Sequence, residues 1–332
     1  MKRSRRAVVY SVVVPVYNEE QVLPEFHREL AKVLRSLGEP FEIIYVDDGS
    51  ADRSPQILRS LTETQPQVRG VRLSRNFGHQ VALSAGLELA EGQAVITLDA
   101  DLQDPPALIP ELIARWREGA QVVLARRRRR RGEGLLKRAS SRLFYRLLRR
   151  LSGLPLPLDS GDFRLLDGEV CLWLRGLPER HRYLRGLIGW AGFRQAEVPY
   201  DRQPRRAGRS KYPPVRMLRF ALDGLTSFSS APLRAASGLG ALVTAGGLAY
   251  LLYVLYRRLI AGATVEGWAS IVSLLVIFNG VTLMLLGILG EYVGRIYEEA
   301  KGRPLYVVRE RFGGRSGDRT RDRSRHRPDE GP

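Results

Sequence analysis

Along the first third of the chain, hydrophobic positions follow two alternating periods. Short β-branched runs read as strands: AVVYSVVVPV (7–16), FEIIYVDDGS (41–50), VRGVRLS (68–74), QAVITLDAD (93–101) and AQVVLARR (120–127). Between them, apolar residues recur at helical spacing over Glu20–Leu37, Pro55–Thr64, His79–Ala90 and Pro106–Glu118. This alternation predicts an α/β domain with a mostly parallel, Rossmann-like sheet. Ligands of such sheets collect at the carboxyl ends of the strands. Tyr17-Asn18-Glu19, Asp47-Asp48-Gly49-Ser50 and Asp99-Ala100-Asp101 all fall there, so three polar clusters are expected around one crevice.

The pattern then loosens. From Arg126 the chain is rich in arginine, breaks at Gly132 and Gly134, and continues as a basic amphipathic helix from Leu135 to about Leu151. Tyr200–Pro214 has the proline and glycine content of an exposed loop. Residues 1–214 are expected to form the α/β domain and 215–234 a juxtamembrane helix, with Leu218, Leu222 and Leu225 on one face. Two uncharged apolar runs follow within 235–291, at about 235–256 and 268–290. Each matches the roughly 20 residues needed to cross a bilayer core, and the short connection between them makes a transmembrane hairpin. Arg216, Arg219 and Arg234 precede the first run, and Arg295, Lys301 and Arg303 follow the second. That bias exceeds Arg257 and Arg258 in the turn, so the α/β domain and both termini are expected at the cytoplasmic face of the plasma membrane. Residues 292–312 read as a cytoplasmic segment, and 313–332 as a disordered basic tail.

Composition narrows the partners. The net charge is +18, with 53 basic against 35 acidic residues, which favours an anionic partner. The arginine run Arg126–Arg131 lacks the aromatic interleaving of RNA-binding sheets and lies in a chain with a membrane hairpin. We read it as facing anionic membrane lipids or solvent, with no nucleic acid bound. A single cysteine, Cys171, excludes an internal disulfide, and four scattered histidines make a His-rich zinc site a poor reading. The basic, apolar N-terminus passes into Tyr17-Asn18-Glu19-Glu20 without a small-residue cleavage site, so it reads as a strand rather than a leader.

The chemistry concentrates in ITLDADLQDPP (96–106), where a buried-strand pattern ends in Asp99, Asp101 and Asp104 with Gln103 among them. Several buried like charges are costly without a positive partner. A divalent cation is the simplest one: magnesium and manganese take oxygen ligands and are often held by one or two carboxylates plus substrate phosphates.

VVVPVYNEE, YVDDGSADRS, LSRNFGHQVALSAGLELAEG, LDADLQDPP, SGDFRLLD, RRAGRSKY and GEYVGRIYEEAKGRPLYVV resemble, in order, the motifs of family-2 glycosyltransferases of the GT-A fold. More narrowly they resemble the polyprenyl-phosphate glycosyltransferases, which include dolichol-phosphate mannose synthases and bacterial undecaprenyl-phosphate glucosyltransferases. The resemblance runs from about Ser11 to Val308. It implies inverting transfer of one sugar from a nucleotide-sugar donor, UDP-glucose first and GDP-mannose next, to a polyprenyl phosphate such as undecaprenyl phosphate. It implies a Mg2+ or Mn2+ cofactor held by Asp99, Asp101 and Gln103, with Asp101 also catalytic. Pro15, Tyr17, Asn18, Glu19, Asp47, Asp48 and Asp99 match its nucleotide-sugar-binding elements. Lys137, Arg138, Ser141, Arg142, Arg206, Ser210 and Lys211 match positions near the acceptor phosphate, with Arg138, Arg142 and Lys211 expected to act in catalysis. Asp162 is the candidate base if one is needed. A phosphate monoester is already largely ionised at neutral pH, so positioning is the other role open to Asp162. His79 reads as a helix-start cap or nucleotide contact. Self-association, to a tetramer for instance, is compatible with a hairpin anchor. A processive polysaccharide synthase would carry a Q-x-x-R-W element, but the only Arg-Trp pair is Arg115-Trp116 and lacks the glutamine. A silent membrane scaffold would be expected to lose the metal carboxylates, which are present here.

Overall fold

The computed structural model describes residues 8–128, 160–180, 182–201, 231–260 and 267–313. The chain forms two compact units, one built on a β-sheet and one helical. In the first, β1 (Tyr10–Val16), α1 (Leu23–Ser36), β2 (Phe41–Asp47), α2 (Ser54–Thr64), β3 (Val68–Leu73), α3 (His79–Leu89) and β4 (Ala94–Thr97) alternate as their periodicity predicts. A 3-10 turn (Pro106–Leu108), α4 (Ile109–Arg117) and β5 (Val122–Arg127) come next, then β6 (Ser160–Asp167), α5 (Gly168–Gly176), α6 (Leu184–Trp190) and β7 (Gln195–Tyr200). The expected helix over Pro106–Glu118 is therefore divided. Pro110 lacks the amide hydrogen that would donate to the Pro106 carbonyl in a continuous helix.

The eight-stranded sheet has the order β7-β5-β6-β4-β1-β2-β3-β8. Pairings among β4, β1, β2 and β3, and between β5 and β7, are parallel; β6 and β8 run antiparallel to their neighbours. This is the mostly parallel GT-A class of α/β sheet expected from the sequence. Every residue of β1 is buried, as its near-continuous apolar run requires. Pro15 is tolerated in this central strand because β4 ends opposite Val13, so no partner on that side needs the missing amide. Tyr10, Val12, Val14 and Val16 pack with Phe26, Leu30 and Leu34 of α1 in one core. Each such large apolar side chain contributes about 1.5–3 kcal/mol by leaving water.

Three strands, β6, β7 and β8, escaped the sequence reading. SGDFRLLD is β6, inserted antiparallel between β4 and β5. Val308–Phe312, read as part of a separate C-terminal segment, returns to the sheet as β8 on the edge of β3. β6 sets Asp162 and Arg164 within its run and β8 holds three consecutive charges, Arg309, Glu310 and Arg311, so neither shows a clean strand pattern. Arg59 of α2 grips Glu310 of β8 through two hydrogen bonds of 2.9 and 2.7 Å.

The helical unit contains α7 (Ala231–Leu259) and α8 (Trp268–Ala300). Both are long and apolar enough to cross a bilayer, over Ala236–Arg257 and Ile277–Ala300, and no residue of either stretch is buried within the fold. The boundary expected at residue 292 falls inside α8, which continues to Ala300. The basic helix at 135–151, the loop beyond Asp201, most of the juxtamembrane segment and the tail from 314 lie outside the described residues.

Candidate active site

The strand order reverses between β1 and β4, so the loops that follow these strands part and leave a crevice at their carboxyl ends. The β1 and β2 loops are stitched together on one side of it. Asn18, at φ 54°, takes the left-handed conformation that asparagine tolerates. Its amide donates to Ser50 Oγ at 2.9 Å, and its Oδ1 accepts from the Ala51 amide at 2.9 Å. Glu19 N donates to Ser54 Oγ at 3.0 Å, while Tyr17 is left 39% exposed at the rim.

Asp47 and Asp48, expected as nucleoside contacts, are both buried and engaged by the fold itself. Asp47 Oδ1 accepts from the Ser50 amide at 3.0 Å and Oδ2 faces Arg72 Nε at 3.1 Å. Asp48 accepts from the amides of Phe77 and Gly78 at 2.7 and 3.0 Å, which pins the loop ahead of α3. Burial pushes both carboxyls above their usual range against these hydrogen bonds. Between that loop and the Asp48 turn there is no room for a side chain. A Cβ on Gly49, at φ +70°, would lie 2.5 Å from the Arg75 carbonyl carbon.

Across the crevice the DADLQD loop leaves β4. Asp99 Oδ1 is buried without a hydrogen bond and faces His79 Nε2 at 3.4 Å. Asp101, 8% exposed, uses Oδ1 to accept the Gln103 amide at 3.1 Å. Burial, reinforced by Asp162, Asp101 and Asp104 and opposed by His79, pushes the Asp99 carboxyl up to about 6.

Asp162, near the start of β6, is the hub of the site. Its carboxylate accepts from Gln80 Nε2 at 3.2 Å, Arg164 Nη2 at 2.8 Å, and Arg185 Nε and Nη2 at 3.1 and 3.0 Å. His79 Nε2 lies 3.1 Å from it. Burial alone would raise its pKa, but Arg185, His79 and Arg164 together hold it well below the carboxylate range. Such a group is a poor proton acceptor and a good anchor for its neighbours.

His79 opens α3 between the carboxylates of Asp99 and Asp162 and does not make the side-chain cap expected of it. Burial works against its cation, yet Asp99 and Asp162 outweigh it and raise the imidazole to about 9 from an ordinary 6.5. A group whose folded pKa is raised stabilises fully below its unfolded value and loses that contribution as pH climbs through the folded one. The melting-temperature gap between wild type and His79→Gln, measured without metal, should therefore be widest near pH 6 and close by about pH 10. A constant gap would rule out the imidazolium as its source.

The site residues separate into two groups. Asp99, Asp101 and Gln103 share one loop, and Asp162 meets Asp99 through His79. Lys137, Arg138, Ser141, Arg142, Arg206, Ser210 and Lys211 lie outside the described residues. Gln80 and Arg185 were missed. The signal for Arg185 was its place in LRGLIGW, a charge inside an apolar helix that needs a buried partner. Of the run read as facing solvent or membrane, Arg126 is exposed as expected, whereas Arg127 is tied into the fold. Arg126 pairs with Glu197 at 2.7 Å, and Arg127 donates to Tyr200 Oη at 3.3 Å.

Among the described residues, no three His, Cys, Asp or Glu side chains form a ready-made metal cage. The donor set nonetheless fits a hard divalent cation. Asp99 presents a buried oxygen with no hydrogen bond, Asp101 follows two residues on, and substrate phosphate oxygens would complete the shell.

Comparison with known proteins places this geometry. The model of glycosyl transferase family 2 matches residues 11–172. The uncharacterized glycosyltransferase YkcC of Bacillus subtilis (strain 168) is 46% identical over 308 residues, 93% of this chain and 95% of that protein. The bactoprenol glucosyl transferase of Shigella phage SfII is 39% identical over 299 residues, 90% and 97% of the two chains. The prophage bactoprenol glucosyl transferase homolog of Escherichia coli (strain K12) is 37% identical over 299 residues, 90% and 98%. With relatives of this identity aligned along nearly their whole length, the chain belongs to glycosyl transferase family 2.

Proposed function

We propose that this enzyme moves a single sugar from a nucleoside-diphosphate donor, UDP-glucose in preference to GDP-mannose, to a polyprenyl phosphate at the cytoplasmic membrane face, with inversion at the anomeric carbon. The observation that carries the reading is the state of Asp162. The carboxylate best placed to serve as a base is already neutralised by Arg164, Arg185 and His79. A sugar hydroxyl would need a base, whereas a phosphate monoester arrives ionised. Its oxygen attacks C1 of the donor sugar as the bond from C1 to the diphosphate breaks, and no proton moves.

The demand on the protein is then electrostatic: two phosphate groups must approach one another, and charge develops on the leaving diphosphate. Asp99 and Asp101, with Gln103 beside them, would hold Mg2+ or Mn2+ against the donor diphosphate. When bound, the ion acts there as a Lewis acid. Lys137, Arg138, Ser141, Arg142, Arg206, Ser210 and Lys211 are assigned to the acceptor phosphate, where guanidinium forks suit its oxygens. The Tyr17–Glu19 loop lines the donor side. Helices α7 and α8 anchor the enzyme in the bilayer in which a polyprenyl chain dissolves, consistent with relatives named for bactoprenol.

The test is transfer from labelled UDP-glucose, GDP-mannose and UDP-N-acetylglucosamine to undecaprenyl phosphate by the full-length protein in detergent. The expected result is labelled lipid from one donor, abolished by chelator and absent with undecaprenol, whose hydroxyl would require the missing base. Label entering undecaprenol equally well would overturn the acceptor assignment.

A further inference from the structure

The DADLQD loop contains a costly backbone element. Leu102, flanked by Asp101 and Gln103, has φ 56° and is 4% exposed. Leucine has no side-chain hydrogen bond with which to offset a left-handed conformation, so the surroundings must impose it. Asp104, two residues later, is the place where they do so. Its carboxylate is fully buried and accepts the hydroxyl of Tyr200, itself 5% exposed. Tyr200 Oη in turn accepts from Arg127 Nε at 3.3 Å, and Arg127 Nη2 lies 3.7 Å from Asp104 Oδ2.

Arg127 and Tyr200 stand opposite each other where β5 and β7 pair, and the Arg128 amide donates to the Tyr200 carbonyl at 2.8 Å. The adjacent strand makes room for this arrangement. A Cβ on Gly161 of β6 would lie 2.8 Å from Arg127 Nη2, and the next residue along is Asp162. One buried tyrosine–carboxylate–guanidinium unit thus ties the loop to β5 and β7 against β6, beside the Asp162 hub.

We propose that Asp104, Tyr200 and Arg127 are positioning residues that hold the Asp99–Gln103 loop in the conformation presenting Asp99 and Asp101 to the metal and the donor diphosphate. This rests on the reading of that loop as the cation and donor site. The three residues support the ligating carboxylates from outside; such supports commonly alter metal affinity tenfold or more when removed.

The experiment titrates full-length protein with Mn2+, in the presence of UDP or GDP, and reads free Mn2+ by electron paramagnetic resonance. Tyr200→Phe removes the oxygen shared by Asp104 and Arg127 and should weaken nucleotide-supported Mn2+ binding about tenfold. Tyr306→Phe is the control. It deletes another tyrosine–carboxylate hydrogen bond, to Glu88 of α3 at 2.6 Å, and should bind Mn2+ as wild type does. Asp104→Asn, which keeps an acceptor for the Tyr200 hydroxyl but loses the charge facing Arg127, should fall between them and serves if Tyr200→Phe fails to fold. Wild-type Mn2+ affinity in both Tyr200→Phe and Asp104→Asn, or equal losses in Tyr200→Phe and Tyr306→Phe, would overturn the tie alone. Absence of nucleotide-supported Mn2+ binding in the wild type would overturn the tie together with the reading of the loop.

Discussion

Replacing Asp101 by asparagine is expected to lower sugar transfer by about a thousandfold while the protein stays folded. The substitution keeps the shape of a side chain that is 8% exposed and leaves an oxygen able to accept the Gln103 amide, so the loop retains its internal hydrogen bond. What is lost is one full negative charge beside Asp99. Two carboxylates together can hold a divalent cation against a diphosphate better than one alone. The loss should appear in kcat more than in the KM for the donor, because the cation matters most as charge develops on the leaving group. Steady-state transfer across a range of Mn2+ concentrations checks this. Saturating metal that restores more than a tenth of wild-type kcat would show that Asp101 is not a principal ligand.

Asp162→Ala is expected to destabilise the fold by about 3–5 kcal/mol. Arg164 is 3% exposed and lies 2.8 Å from Asp162 Oδ1, so the alanine variant leaves a buried guanidinium with its main counter-charge gone. Arg185 and His79 lose the same anion, and with it the geometry that places His79 beside Asp99. A melting temperature lower by roughly 10 °C is the expected reading. Adding Arg164→Met to Asp162→Ala should recover part of that loss by removing the stranded charge. No recovery would place the cost elsewhere. The pH dependence has a definite sign: a carboxyl held below its ordinary value stabilises above that value and loses the contribution as pH falls through the depressed one. The gap between wild type and Asp162→Ala should therefore persist at neutral pH and shrink only in strong acid.

These predictions turn on contacts of unequal legibility. The DADLQD loop could be found in the sequence because a strand-like apolar run ending in carboxylates is locally inconsistent unless something positive joins it. Asp162 could be singled out by its motif, but its role could not, since its partners Gln80, Arg164 and Arg185 reach it from three different elements. Asp47 and Asp48 show the reverse case. Their position at a strand end suggested ligand contacts but could not name their partners within the fold: the backbone amides of Ser50, Phe77 and Gly78 donate to Asp47 Oδ1 and to both oxygens of Asp48.

Local pattern by itself determined the alternating strands and helices from β1 to β5, the crevice at their carboxyl ends, the two long apolar helices and the family. Each is written in short-range periodicity or contiguous motifs, where burial of one face dictates the residues. Only the tertiary structure decided that β6, β7 and β8 join the sheet, that His79 lies between Asp99 and Asp162, and that Tyr200 reaches Asp104 across 96 positions of sequence. A buried charge announces in sequence that it needs a partner. Which partner it finds depends on the strand order, because that order brings distant segments to within 3 Å of one another.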